Sequence, residues 1–375
     1  MIVREVNIGD ELSVTDLWLR NGLLSHSSAN DLTWLWKDNP VCQSSWPWGW
    51  VLEENGRIFG YIGNLPLRYY YRGNAVTVAC ARGYVVDSVA RRYSLKLALA
   101  FFLQGTADLL LISSANKSSA NVYKMFKALP IPDKNYSDSL VWLLNGYGVT
   151  RFLFFRYLIQ KKSNLSPLVV NGLSMLFSPF LNLFLLARGL GYRGVNAGWP
   201  GNIVLMRPDD IDERWDELFE IRKHQLPGVL LADRSSAVMK WHYNVAGSSE
   251  NDTIIFTAIL RSRMVGYLFV SAHGSSPADK GRYRISDIFV LDDNPEVIDA
   301  LLDKVFSYAK DCQWSILETV GFPPYVRKQL LARRPFVRCP DTSLFWYHTA
   351  EVELSEVLAN TSGWYATPYD GDSSL

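Results

Sequence analysis

Cysteine is scarce in this 375-residue chain. The four, Cys42, Cys80, Cys312 and Cys339, form no CxxC pair and stand at no ligand spacing from a histidine. That argues against a zinc site or a disulfide scaffold, and reduced thiols, mostly in the core, are expected. Charge excess is also lacking: the formal net charge is +1. A domain built to hold a nucleic-acid duplex carries a clear basic excess, so no nucleic-acid partner is expected. Met1-Ile2-Val3-Arg4-Glu5-Val6-Asn7 holds no apolar run behind a basic start. No signal peptide is expected, and a cytoplasmic location is. The five histidines show no Ser-His-Asp order around a nucleophile elbow. His242 reads as a packed helix residue, and no metal site is expected.

Aromatic residues, by contrast, are abundant, at 13% with 13 Trp. They suit deep apolar clefts, a membrane-facing surface or a large core. Their arrangement repeats with a long period. In the first half Trp34-Leu35-Trp36 precedes a hairpin turning at Asn55-Gly56, the strongest short hairpin signal. In the second half Lys240-Trp241-His242-Tyr243 precedes an apolar pair of runs joined at Arg261-Ser262-Arg263. Gly60 and Gly266 then lead, at similar distance, to strands ending at Val86 and Val290. A helix follows each (94–104 and 295–310), then an apolar strand (108–113 and 314–319). Each half is expected to close on its own aromatic strand, Leu140-Val141-Trp142 or Leu344-Phe345-Trp346-Tyr347. This order predicts an α/β (α+β) chain of two tandem units, each with a mixed central sheet flanked by helices. The expected divisions are 1–147, a connector 148–199, a second unit 200–350 and a tail 351–375.

The segment Val85-Val86-Asp87-Ser88-Val89-Ala90-Arg91-Arg92-Tyr93-Ser94-Leu95-Lys96-Leu97, in this order of elements, resembles the acyl-CoA loop of Gcn5-related N-acetyltransferases (GNAT). In that family a strand ends in an Arg/Gln-x-x-Gly-x-Gly/Ala turn that opens a helix. Amides at a helix start, together with the macrodipole, hold a diphosphate. Arg91 fits the pattern, whereas Ser94 and Lys96 stand where the family has small residues. The resemblance implies that Val86, Arg91, Arg92, Ser94 and Lys96 bind acetyl-CoA or another acyl-CoA. Asn116-Lys117-Ser118-Ser119-Ala120-Asn121-Val122-Tyr123 resembles the family's Asn-to-Tyr spacing. It implies Asn116 orienting the cofactor arm and Tyr123 as general acid to the leaving thiolate. The Gly-Phe that usually follows is absent. Tyr123 also reads simply as a packed helix residue.

The second unit has Leu291-Asp292-Asp293-Asn294-Pro295-Glu296 at the matching place, whose acids would repel a diphosphate. Glu318 ends the strand after it, where a catalytic base would act, or where an ordinary strand-end carboxylate would sit. The whole layout, including Trp36 with Asn39-Pro40 and the 364–372 tail, resembles GNAT-like proteins of polysaccharide and cell-surface biosynthesis. That implies acyl transfer to an amine or hydroxyl of a small molecule or glycan precursor. Two alternatives stand beside it: a catalytically inactive scaffold in a polysaccharide synthesis complex, and a transferase of the FemABX type that uses aminoacyl-tRNA. No residue from 163 to 187 is charged. Three readings fit 151–187: packing as a helical connector, peripheral contact with anionic lipid, and a membrane span interrupted by Pro167 and Pro179.

Overall fold

The computed structural model describes residues 1–23, 34–160, 166–187, 198–243, 253–273 and 281–374. The connector stretches 161–165 and 188–197 therefore lie outside the described residues. Strands and helices are numbered along the chain.

The chain forms two compact units, and they are not contiguous halves. The first comprises Met1–Ser137, Ile211–Ser248 and Cys339–Leu375; the second comprises Asp138–Asp210 and Ser249–Arg338. The sheet of the first unit runs β1 (Ile2–Glu5), β2 (Gly49–Glu54), β3 (Arg57–Tyr71), β4 (Asn74–Val86), β5 (Leu109–Ile112), β15 (Trp346–Thr349) and β6 (Leu129–Pro130). A short β9 (Leu231–Ala232) also pairs with β3. Helices α1 (Glu11–Arg20), α2 (Trp34–Lys37), α3 (Ser94–Phe102), α4 (Lys117–Met125), α7 (Glu213–Gln225), α8 (Ser236–Tyr243) and α11 (Val352–Leu358) belong to the same unit.

The sheet of the second unit runs β14 (Phe336–Arg338), β7 (Ser139–Leu143), β13 (Ile316–Thr319), β12 (Arg282–Val290), β11 (Arg263–Ala272), β10 (Thr253–Leu260) and β8 (Asn202–Met206). Its helices are α5 (Gly146–Gln160), α6 (Pro167–Ala187), α9 (Pro295–Asp311) and α10 (Pro324–Ala332). Helix α9 shows why such a segment folds. Val297, Ile298, Leu301, Leu302, Val305 and Phe306 recur at helical spacing and are all buried. Each contributes roughly 1.5–3 kcal/mol by leaving water.

The repeat extends to strand register. Gly60 pairs with Val86 in one sheet and Gly266 with Val290 in the other. A Cβ at Gly60 would lie 2.8 Å from Leu97, and one at Gly266 would lie 2.8 Å from Val290. Both positions exclude side chains because the strand backbone is approached so closely. The hairpin turn at Asn55-Gly56 has φ of 52° and 77°, the left-handed pair that a two-residue hairpin needs. Arg261-Ser262 adopts the same geometry without glycine, at 50° and 66°.

One expectation is corrected here. The closing strands are exchanged: β7, from the first half of the sequence, pairs with β13 of the second sheet. Strand β15, from the second half, pairs with β5 of the first. Side-chain packing secures each strand. Trp142 donates to the Arg333 carbonyl at 3.0 Å and stands edge-on to Phe306. Phe345 packs against Tyr136 and Trp364. The cysteine expectation is also revised: Cys80 is buried, Cys42 half-buried, and Cys312 and Cys339 are exposed.

Candidate active site

The first unit opens along the β4–β5 seam. These parallel strands pair only over Val78–Leu109, Ala79–Leu110 and Cys80–Leu111. Strand β5 stops at Ile112 while β4 runs on to Val86. From Ala81 onward β4 has no strand partner on that side among the described residues. Just there it bulges: Tyr61 pairs with Val85 and Gly63 with Arg82, so Gly83 and Tyr84 share one opposing residue. Gly83 takes φ of 61°, and a Cβ on it would collide with the Trp18 indole. Trp18 donates to the Gly83 carbonyl at 3.2 Å and fixes the bulge.

The 3-10 turn Ser88–Tyr93 leads from β4 into α3. Its base is tied down by Arg20, which bonds Asp87 at 2.8 Å and the Ile58 carbonyl at 2.6 Å. Burial raises the Asp87 pKa, but Arg20 and Asn21 overcome it and hold the carboxyl below its usual range. Arg91, Arg92 and Lys96 are all exposed. Arg92 and Lys96 lie over the Tyr93 ring at 4.8 and 5.3 Å. Lys96 therefore does not plug the turn. Helix α3 has no side-chain cap. The amide of Ser94 is already bonded to the Arg91 carbonyl, which shifts anion binding towards the three cationic side chains. Val86 closes β4 opposite Gly60, half-buried.

Tyr84 links this turn to the seam. Its hydroxyl donates to the Ser94 carbonyl at 2.9 Å, and its ring centre lies 6.4 Å from that of Tyr123. Tyr123, on α4, is buried and hydrogen-bonded to Ser119. Burial pushes its phenol well above the ordinary range, so it stays protonated. Asn116 is the N-cap of α4, its Oδ1 accepting from the Ser118 and Ser119 amides at 3.0 Å. Such a cap is worth about 1 kcal/mol. Its side-chain oxygen is spent on orienting the helix that carries Tyr123.

The tail folds in against β4 and the end of β5. Residues 363–372 are buried throughout. Arg234 meets Asp370 at 3.3 Å, with both side chains almost fully buried, and lies over the Tyr365 and Tyr369 rings. The Tyr369 hydroxyl donates to the Asp233 carbonyl at 2.6 Å. Beyond this anchor Asp372 reaches the end of β5. It accepts from Ser113 at 2.5 Å and Ser114 at 3.2 Å, and its carbonyl accepts from Arg82 at 3.4 Å. Gly371, at φ 117°, sits so close to Ser113 that a Cβ would collide. Cys80 lies beneath, its thiol pKa pushed well up by burial. His242 stacks against Tyr369 at 4.3 Å and bonds Ser374 at 2.7 Å. A cavity of about 10 Å³ beside these groups has room for about one water. Dense aromatic and acidic residues at 364–372 were the sequence signal for this fold-back.

The other site residue read from sequence is in the second unit. Glu318 accepts from Arg282 at 2.7 Å and from Arg284 at 3.1 Å, with His273 at 3.2 Å. Burial raises its pKa, yet His273, Arg282 and Arg284 together leave it lowered. A carboxylate so stabilised is a poor proton acceptor. The helix start matching α3 is also closed. Asn294 caps α9 by accepting from Glu296 and Val297, with Asp292 and Asp293 just before it. A cavity of about 510 Å³ does lie in this unit, lined by Asn145, Arg151, Tyr283, Tyr308, Cys312 and Trp314 among others. Among the described residues that line it there is no carboxylate or histidine, so these offer no acid–base pair of the usual kind.

No protein-family model and no curated protein matches the sequence. Solved structures do match the fold. A GCN5-related N-acetyltransferase from Anabaena variabilis superposes over 95% of this chain and 74% of its own, with a TM-score of 0.56 and 10% identity. Saccharomyces cerevisiae N-myristoyltransferase with bound myristoyl-CoA and inhibitors superposes over 92% of this chain and 79% of its own, at 0.56 and 12%. A probable N-acyltransferase from Enterococcus faecalis covers 96% and 73%, at 0.53 and 10%. At these identities the likeness establishes the fold. Two mixed sheets flanked by helices, in the GNAT arrangement, account for nearly the whole chain.

Proposed function

We propose that the protein is an acyltransferase that moves an acyl group from acyl-CoA to an amine or hydroxyl, at the β4–β5 seam of the first unit. One observation carries the reading. Tyr84 bonds the basic α3 turn at Ser94 and lies beside the buried Tyr123 ring, on the part of β4, from Ala81 onward, that has no partner towards β5 among the described residues. A donor lying along that edge would place its diphosphate against Arg91, Arg92, Lys96 and the Ser94 hydroxyl, past Val86. Its thioester carbonyl would meet β4 amides near the bulge, which polarise it. The acceptor's lone pair attacks the carbonyl carbon and the C–S bond breaks. The departing sulfur accepts a hydrogen bond, then a proton, from Tyr123. The proton lost by the acceptor passes to water or to a base; Glu318, clamped between two guanidinium groups, is poorly suited to that role. Asn116 acts by holding α4. The acceptor we infer is a small molecule, with a sugar or cell-surface polymer precursor as the class suggested by the resemblance of the sequence.

Thermal shift with acetyl-CoA and CoA tests the donor site. Ligand at 100 times its Kd stabilises the folded state by about 2.7 kcal/mol. A shift that disappears in Arg91→Glu supports the reading. No shift at millimolar CoA would leave a fold without a donor site.

A further inference from the structure

The stretch between β7 and β8 differs in charge from the rest of the chain. From 144 to 201 it contains no Asp or Glu, yet it holds Arg151, Arg156, Lys161, Lys162, Arg188 and Arg193. Its described part is α5 and α6, packed as a helical hairpin. One stripe of α6 is satisfied within the hairpin. Val170, Ser174 and Leu185 are buried, and Thr150 of α5 donates to the Ser174 carbonyl at 3.2 Å. Asn182 accepts from the Gly146 amide at 2.9 Å. The other side faces outward. Leu168, Met175, Leu176, Phe180, Leu183 and Leu186 are each 63–80% exposed. They run along the helix for roughly 27 Å at 1.5 Å per residue. Helix α6 bears no charge at all. Exposed apolar residues scattered singly need no explanation, but a continuous stripe of this length marks an interaction surface.

We propose that the α5–α6 hairpin docks the protein peripherally on an anionic lipid surface, with the outer stripe of α6 lying in the plane of the interface. The charge pattern selects this occupant. Six cations and no anion flank or precede the stripe, complementary to acidic headgroups. A second copy would bring two acid-free basic segments together, which like-charge repulsion opposes. A span is disfavoured because Ser174 and Asn182 are already bonded to α5 and Pro179 lies inside α6. The inference does not depend on the acyl-transfer reading.

Vesicle flotation of the full chain tests it, comparing phosphatidylcholine alone with phosphatidylcholine carrying roughly 30% phosphatidylserine. Binding should be at least about tenfold stronger to the anionic vesicles and should weaken in high salt. Phe180→Asp with Leu183→Asp should lower it by about tenfold or more, with circular dichroism and melting unchanged. Arg156→Gln, at an exposed position on α5, should weaken only anionic binding, by about fivefold. Several results would overturn the proposal: no flotation, equal salt-resistant binding to both vesicles, or membrane-fraction protein that resists carbonate extraction. A dimer that dissociates in the Phe180→Asp protein, without lipid binding, would assign the stripe to self-association instead.

Discussion

Replacing Asp370 with Ala removes the carboxylate that faces the buried Arg234 guanidinium. The two side chains are 0% and 1% exposed and meet at 3.3 Å. Breaking a buried pair by deleting one partner costs about 3–5 kcal/mol, because the remaining charge stays out of water. Here Arg234 keeps the Ala232 carbonyl at 3.1 Å and the faces of Tyr365 and Tyr369, which places the loss near the low end. The Thr367 amide also loses its acceptor, now at 2.6 Å. A loss of about 3 kcal/mol in a unit of roughly 200 residues lowers the melting temperature by about 6–12 °C. Calorimetry of the full chain reads this as a drop confined to one of two transitions. Exchanging both partners, Arg234→Met with Asp370→Leu, should recover most of it, because no charge then stays buried. A drop under about 2 °C in the single variant would refute the tail's anchoring, as would a double variant no more stable than the single one.

Four further outcomes follow from the same geometry. Arg91→Glu should abolish the acetyl-CoA thermal shift while leaving the ligand-free protein within about 0.5 kcal/mol, since Arg91 is exposed. Tyr123→Phe should lower kcat by about a hundredfold with little change in KM. In the native protein the alkaline limb should show no fall from Tyr123 up to about pH 10, because burial holds its phenol above the ordinary value. His242 titrates in the opposite sense. Burial, with Arg234 and Arg82 adding to it, lowers its pKa from 6.5 to about 3. Between those values the unfolded chain takes up a proton that the folded chain refuses. Its contribution is therefore complete above pH 6.5 and falls as the pH drops, by about 3 kcal/mol at pH 4. Urea titrations at pH 7 and pH 4 should show that slope, and His242→Gln should reduce it.

Where the sequence spoke clearly, local chemistry was responsible. Asn55-Gly56 specifies its hairpin by left-handed backbone alone, and the Gly60–Val86 and Gly266–Val290 spacings carry through to paired registers. The helix expected at 295–310 appears as Pro295–Asp311, because its apolar period and its Asn294 cap agree. Strand exchange was not legible. Leu140-Val141-Trp142 and Phe345-Trp346-Tyr347 are alike in pattern, and nothing local says which sheet an apolar strand joins. The difference lies in partners far along the chain, Phe306 for Trp142 and Tyr136 for Phe345. For the same reason Asp372 was invisible as a neighbour of Ser113, 259 residues away. Asn116 showed a family-like spacing but not its cap geometry, which depends on where α4 begins.

On the proposed reading, the two copies of the repeat differ in whether the helix start after the long strand could hold a donor. Both units let their parallel central strands diverge: β12 pairs with β13 only from Arg282 to Arg284 and then runs on to Val290. The seam is thus a property of the fold. What differs is the chemistry around it. The first unit leaves α3 without a side-chain cap beneath three exposed cations. The second seals α9 with Asn294, surrounds it with carboxylates, and closes the end of β13 with a Glu318–arginine cluster. A cap competes with a diphosphate for the same amides, and carboxylates repel it. Grafting the cap onto the first unit as Tyr93→Asn, compared with Tyr93→Ala, which equally removes the ring under Arg92 and Lys96, should therefore weaken CoA binding further in the Asn variant without disturbing the sheet. Equal CoA affinity in the Asn and Ala variants would show that the helix start contributes nothing, and that the cations alone hold the donor.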